Sequence, residues 1–307
     1  MKWFFIALLA HVLWATVNLA DQYLVEQFKQ KKAPQVTLIM FAAPIALIIS
    51  IIIAIFSWHY MVLLSTASIL WFVAAGVIQV IGIWAYLQAL LHSNAANVSA
   101  WFLLMPVIAA LGGFVVLGES LGAIQIIGIV SIIFGAFIFS VHYHKETKKH
   151  SVPWKTICYM LAASVALVFA DILFKKGVIL GASFWSALSV TQAGTAVIGF
   201  LLLVIPKLRR AFFSIFISQG KQVFLVNAVS EVVTMIGNAL KAYAVLLVPV
   251  ALVASMEGYQ PIIVFLISIP LAYLLPRIFS FEENTKWQIF LKVIGSVFLI
   301  LGTSFLF

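Results

Sequence analysis

Residues 33–118 read APQVTLIMFAAPIALIISIIIAIFSWHYMVLLSTASILWFVAAGVIQVIGIWAYLQALLHSNAANVSAWFLLMPVIAALGGFVVLG, and no Asp, Glu, Lys or Arg interrupts these 86 residues. A bilayer core about 30 Å thick takes roughly 20 apolar helical residues per crossing. A stretch this long without a charge therefore predicts several consecutive crossings broken by short polar or helix-breaking punctuation. The rest of the 307-residue chain agrees, with 64% hydrophobic and 9% charged residues. Its mean hydropathy is +1.18. Soluble domains are about 45–50% apolar and 25% charged, so a soluble enzyme, a disordered chain, collagen and a coiled coil are excluded. The single cysteine, Cys158, excludes an intramolecular disulfide.

Outward from that stretch, ten apolar segments are predicted, near 3–25, 34–58, 66–91, 95–117, 121–141, 153–174, 183–205, 222–247, 249–275 and 287–307. The breaks are His92-Ser93-Asn94, Gly118-Glu119-Ser120 and Pro249. His11, Trp14 and Asn18 interrupt the first apolar run and no small-x-small site follows it, so a cleaved leader is not expected.

The longest polar run, His142 to His150, divides the segments five and five. At an offset of 150, Ala20-Asp21 falls on Ala170-Asp171; at 155, Gly82, Ala89 and Pro106 fall on Gly237, Ala244 and Pro261; at 167, Gly128 and Gly135 fall on Gly295 and Gly302. Their common order predicts an internal repeat: a first unit over 1–144, a polar linker over 145–152 and a second unit over 153–307. Five crossings per unit turn the second over, giving an all-α, ten-helix 5+5 inverted repeat around a central cavity, as in transporters.

Ionisable groups at membrane depth are expensive and are functional candidates. In the eighth segment Asn227, Glu231, Thr234, Asn238 and Lys241 recur at intervals of 4, 3, 4 and 3 and share one helical face. That polar stripe is expected to line the cavity. Lys241 is expected at the cavity mouth or as a partner for Glu257. Glu257 lies in Ser255-Met-Glu-Gly-Tyr-Gln-Pro261, where Gly258 and Pro261 interrupt helical hydrogen bonding. It is the sharpest candidate for a proton, a substrate amine or a cation, with pairing to Lys241 as the structural alternative. Asp21 and Asp171 are expected within a turn of a segment end, with Asp171 able to pair with Lys175 at i+4. Lys292 is expected to snorkel. Asn18, Gln79 and Gln88 join the hydrogen-bonding candidates. Trp84, Tyr86, Trp101 and Tyr259 stand apart from interfacial aromatics, and Trp84, Trp101 and Tyr259 are expected to shape the pocket. Glycines 128, 135, 295 and 302 are read as packing positions.

The histidines, Cys158 and the acids show no metal-ligand spacing, and neither a phosphate-cradling loop nor a nucleophile elbow is present. No catalytic residue, cofactor or metal is expected. The basic excess, +9, lies in connecting loops, which argues for membrane orientation rather than a nucleic-acid partner.

The run Ala95-Ala-Asn-Val-Ser-Ala-Trp-Phe-Leu-Leu-Met-Pro106, with Gly112-Gly113, Gly118-Glu119-Ser-Leu, Gln125, Gly128 and Gly135, resembles the signature of the EamA type of the drug/metabolite transporter superfamily. The detailed match is confined to the first half: Leu274 stands under Glu119, and a longer loop with Glu282 and Glu283 follows. The resemblance implies a ten-helix basket that moves small metabolites such as amino acids, often outward, across a bacterial inner membrane. Coupling to protons or to the substrate's own gradient, and a monomer or homodimer, stay open. A lipid flippase is the first alternative and an intramembrane enzyme the second. On orientation two expectations conflict. Thirteen Lys and Arg residues in the loops after segments one, five, seven and nine stand against Lys2, Lys175 and Lys176 on the other side, so the positive-inside rule predicts both termini outside. The resemblance implies both termini inside.

Overall fold

The computed structural model describes residues 1–30, 34–93, 98, 101–140, 154–274 and 286–307. The 145–152 linker, the His142–His150 run, residues 94–97, Ser99, Ala100, Arg277, Glu282 and Glu283 lie outside the described residues, as do the side chains of Leu274, Lys286 and Lys292. The described residues are 90% helix, with no strand among them. The helices are α1 (Lys2–Gln30), α2 (Thr37–Phe56), α3 (Trp58–Met61), α4 (Thr66–Leu90), α5 (Met105–Leu117), α6 (Ala123–Ser140), α7 (Trp154–Ile179), α8 (Phe184–Leu201), α9 (Pro206–Leu247), α10 (Val250–Ala254), α11 (Gln260–Leu274) and α12 (Lys286–Ser304). Short 3-10 turns precede α5 (Trp101–Leu104), follow α8 (Leu202–Val204) and join α10 to α11 (Ser255–Tyr259).

Among the described residues, six helical stretches are long and apolar enough to cross a membrane: Lys2–Lys29, Thr37–Phe56, Thr66–Leu90, Trp154–Ile179, Phe184–Val204 and Phe224–Leu247. Four more are apolar but shorter: Trp101–Leu117, Ala123–Ile138, Val250–Val264 and Val293–Ser304. Their outer faces carry exposed apolar side chains such as Ile51, Ile55, Ile127, Val130, Val297 and Ile300, which suits lipid contact.

Local chemistry sets the helix ends. Ser65 and Ser183 cap α4 and α8, accepting from the backbone N–H of Ser68 at 3.1 Å and of Ser186 at 3.2 Å. Gly118 closes α5 in the left-handed region at φ +70°. Proline begins α9, while Pro249, Gly258 and Pro261 divide the ninth segment into helix, 3-10 turn and helix.

Three expectations about boundaries are corrected. Helix α1 runs on to Gln30 and α7 to Ile179, so Asp21 and Asp171 lie two turns or more inside their helices and not at the ends. Apolar periodicity fades there, but the backbone ladder needs no apolar residues to continue. Helix α9 begins at Pro206 rather than near 222 and spans 42 residues, about 63 Å at 1.5 Å per residue. Its first turns, with Lys207, Arg209 and Arg210, are helix and not loop.

Packing brings α4 against α7 and α8, α1 against α9 and α11, α2 against α8 and α9, α5 against α7 and α10, and α6 against α12. The α6–α12 crossing depends on glycine. A Cβ on Gly128 would lie 2.7 Å from the Gly302 carbonyl oxygen, one on Gly302 would lie 2.7 Å from that of Gly128, and one on Gly135 would lie 2.7 Å from that of Gly295. At the α2–α8 crossing, Ser50 Oγ donates to the Ser189 carbonyl at 2.9 Å and Ser189 Oγ to the Ser50 carbonyl at 2.9 Å.

Candidate functional site

The helices enclose a cavity of about 200 Å³. Its wall is drawn from α1, α2, α4, α7, α8, α9 and the broken α10–α11 segment, with Phe102 and Met105 from the entry to α5. The wall is wider than a polar stripe reveals: Ala42, Ala43 and Ala46 of α2 line it, as do Leu188 and Gln192 of α8.

Helix α9 presents Asn227, Glu231, Thr234, Asn238 and Lys241 to this space, and Gln79, Asn18 and Glu257 join them. Lys241 is neither at a cavity mouth nor paired with Glu257. It is 5% exposed, and its ammonium lies 2.6 Å from Asp171 Oδ2 on α7 and 5.1 Å from the centroid of the Trp14 ring on α1. Asp171 is accordingly not paired with Lys175. A one-helix argument favoured the i+4 neighbour, but the partner comes from another helix.

Lys175 bonds instead to Glu119 Oε1 at 2.6 Å and to the Val248 carbonyl at 2.8 Å. Glu119 Oε2 accepts from the Val250 N–H at 2.9 Å. The motif glutamate thus caps the start of α10 and ties α5, α7 and α10 together.

Glu257, 3% exposed, faces His11, which is fully buried, with Nε2 3.3 Å from Oε1. His11 Nδ1 donates to the Ala7 carbonyl at 2.6 Å. Because a carbonyl only accepts, that nitrogen carries a proton, and Nε2 is the nitrogen left facing the Glu257 carboxyl. Gly258 is a packing position, since a Cβ there would run into Ile132 of α6.

A hydrogen-bonded chain crosses the wall: Tyr86 donates to Asn18 Oδ1 at 3.1 Å, and Asn18 Nδ2 donates to Gln260 Oε1 at 3.3 Å. Asp21 lines the cavity beside Tyr86, not at an interface. Trp84, Trp101 and Tyr259 do not line it. Trp84 is 39% exposed on the outer surface against Tyr159, Trp101 packs on the core, and Tyr259 bonds to Thr303 and packs on Phe4. Gln88 also lies off the cavity. Sequence reasoning passed over His11, Trp14 and Gln260. A buried histidine on an otherwise apolar helix was the available signal for the first.

Residues 1–141 match the model of the EamA-like transporter family. The matched half is the one that carries the signature from Ala95 to Gly135. That family is one of transporters, and among the described residues six helical stretches are long and apolar enough to cross a membrane. Among solved structures, one crystal structure of a protein aligns with a TM-score of 0.60 at 14% identity, over 99% of this chain and 96% of that one. At that identity the likeness shows the fold alone. No curated protein matches the chain.

Proposed function

We propose that this protein is a secondary transporter that carries a small metabolite bearing an amino group outward across a bacterial plasma membrane, by alternating access of the described cavity. The carrying observation is the cavity itself: charged side chains of α1, α7, α9 and the broken α10–α11 segment converge on one space inside apolar helices. Intramembrane charge of this kind marks a transport path.

A 5+5 inverted repeat over 1–144 and 153–307 supplies the rocking halves. Supporting it are the matched pairings α1 with α9 and α4 with α7, the reciprocal Ser50–Ser189 bonds and the reciprocal glycine contacts of α6 and α12. Glu257, Glu231, Asn238, Thr234 and Gln79 hold the substrate, Lys241 fixes Asp171, and the His11–Glu257 pair offers a place for a coupling proton.

Uptake of labelled amines and amino acids into proteoliposomes, with and without a pH gradient, tests this. Saturable uptake that the gradient accelerates is expected. Uptake of no solute by folded, reconstituted protein would overturn the transporter reading.

A further inference from the structure

Four carboxylates line the cavity, Asp21, Asp171, Glu231 and Glu257, against one ammonium, Lys241. Two of the four are matched. Asp171 holds Lys241 at 2.6 Å, and Glu257 faces His11 at 3.3 Å. Among the described residues, no Lys, Arg or His lies within ion-pair distance of Asp21 or Glu231. The two line the same cavity from α1 and α9, which pack against each other, and two like charges in a low-dielectric site call for added positive charge.

A second observation marks the same wall as a ligand surface. Asn227, one helical turn before Glu231 on α9, lines the cavity and is 6% exposed; its Nδ2 has no hydrogen-bond partner. Thr191 of α8 lines it too and is likewise 6% exposed, with Oγ1 unpartnered. Unsatisfied buried polar atoms are expensive unless something arrives to bond them. The same wall also carries the aromatic side chains of Trp14, Phe102 and Phe174.

We infer that the cavity binds small organic ammonium ions that carry no carboxylate, with the ammonium held between Asp21 and Glu231. The cation's N–H groups or its charge face the two carboxylates, and its carbon frame lies on the aromatic wall. A zwitterionic amino acid fits worse. The one ammonium that could meet its carboxylate is already bound to Asp171, and a further anion would enter beside Asp21 and Glu231. This rests on the transporter reading and narrows its substrate class.

The test uses amines and their carboxylated counterparts: phenethylamine against phenylalanine, and cadaverine against lysine, titrated calorimetrically into the purified full-length protein at fixed pH and salt. At least one amine is expected to bind about tenfold or more tightly than its amino acid, and Asp21→Asn and Glu231→Gln each to weaken it by about tenfold. Both variants are expected to melt no earlier than the parent, because each removes a cavity carboxylate with no cationic partner among the described residues. Binding of neither amine, equal or tighter binding of the amino acids, or unchanged affinity in both variants would overturn the inference. Of these, tight amino-acid binding would leave the transporter reading standing, whereas the uptake experiment alone bears on that reading.

Discussion

Lys241 on α9 and Asp171 on α7 meet at 2.6 Å inside the helix bundle, seventy residues apart in the chain. Each is the other's counter-charge in a setting where a lone ion is poorly tolerated. Lys241→Met is expected to destabilise the protein by about 3–5 kcal/mol, because Asp171 is left uncompensated. The double variant Lys241→Met, Asp171→Asn is expected to lose less than the sum of the singles. Unfolding of all three variants in detergent, compared with the parent, checks this; additive losses would show that the pair is not coupled.

The Glu119–Lys175 pair has a different task, since it joins loop and helix ends rather than lining the cavity. Glu119→Gln is expected to cost about 1–3 kcal/mol, read as an earlier thermal transition. A transition unchanged from the parent would deny the capping role of Glu119 Oε2 on α10.

Glycine at the α6–α12 crossing is required by distance. Gly135→Val places branched carbon where the Gly295 carbonyl already stands, so the helices must part, and the yield of monodisperse protein is expected to collapse. Gly122→Ala is the control: a Cβ there meets only Gln125 at 3.9 Å. Equal yields from both variants would contradict the packing assignment.

Much of the fold was legible because lipid imposes one rule, that spans be apolar and helical. The charge-free run from Ala33 to Gly118 carried that reading. The five-residue stripe on α9 was legible for a similar reason, because one helix contains the whole pattern. Partnerships between helices were not. Lys241 with Asp171, Lys175 with Glu119 and His11 with Glu257 each need the relative placement of two or three helices, which periodicity does not encode. Trp84 misled because an aromatic at mid-segment serves lipid contact as well as a pocket.

Glu257→Gln tests the proposed proton site. The amide cannot share a proton with His11 Nε2 in the way a carboxyl does, so transport is expected to persist only weakly or to lose its response to a pH gradient, with insertion and folding intact. Uptake by the variant at matched protein level is the measurement. Normal gradient-dependent uptake would remove Glu257 from the coupling site.

Orientation sets the charge distribution against the habit implied by family resemblance. In the ten-segment reading, basic residues such as Lys29, Lys207, Arg209 and Arg210 fall on one side, so the segment containing Lys148 is expected in the cytoplasm and both termini outside. Single cysteines at Lys148 and at the C-terminus, in a Cys158→Ser background, are probed with an impermeant thiol reagent on intact cells. Labelling at the C-terminus alone is expected; labelling at 148 would show that the family orientation holds.

The most direct measurement asks whether the cavity opens to both sides of the membrane. Asn238→Cys, also in the Cys158→Ser background, places a thiol on the α9 face that lines it. In oriented vesicles the expected result is labelling by an impermeant reagent added to either side, at rates that differ as the two states interchange. Labelling from neither side, or from one side only under every gradient and ligand condition, would contradict an alternating-access path through this cavity.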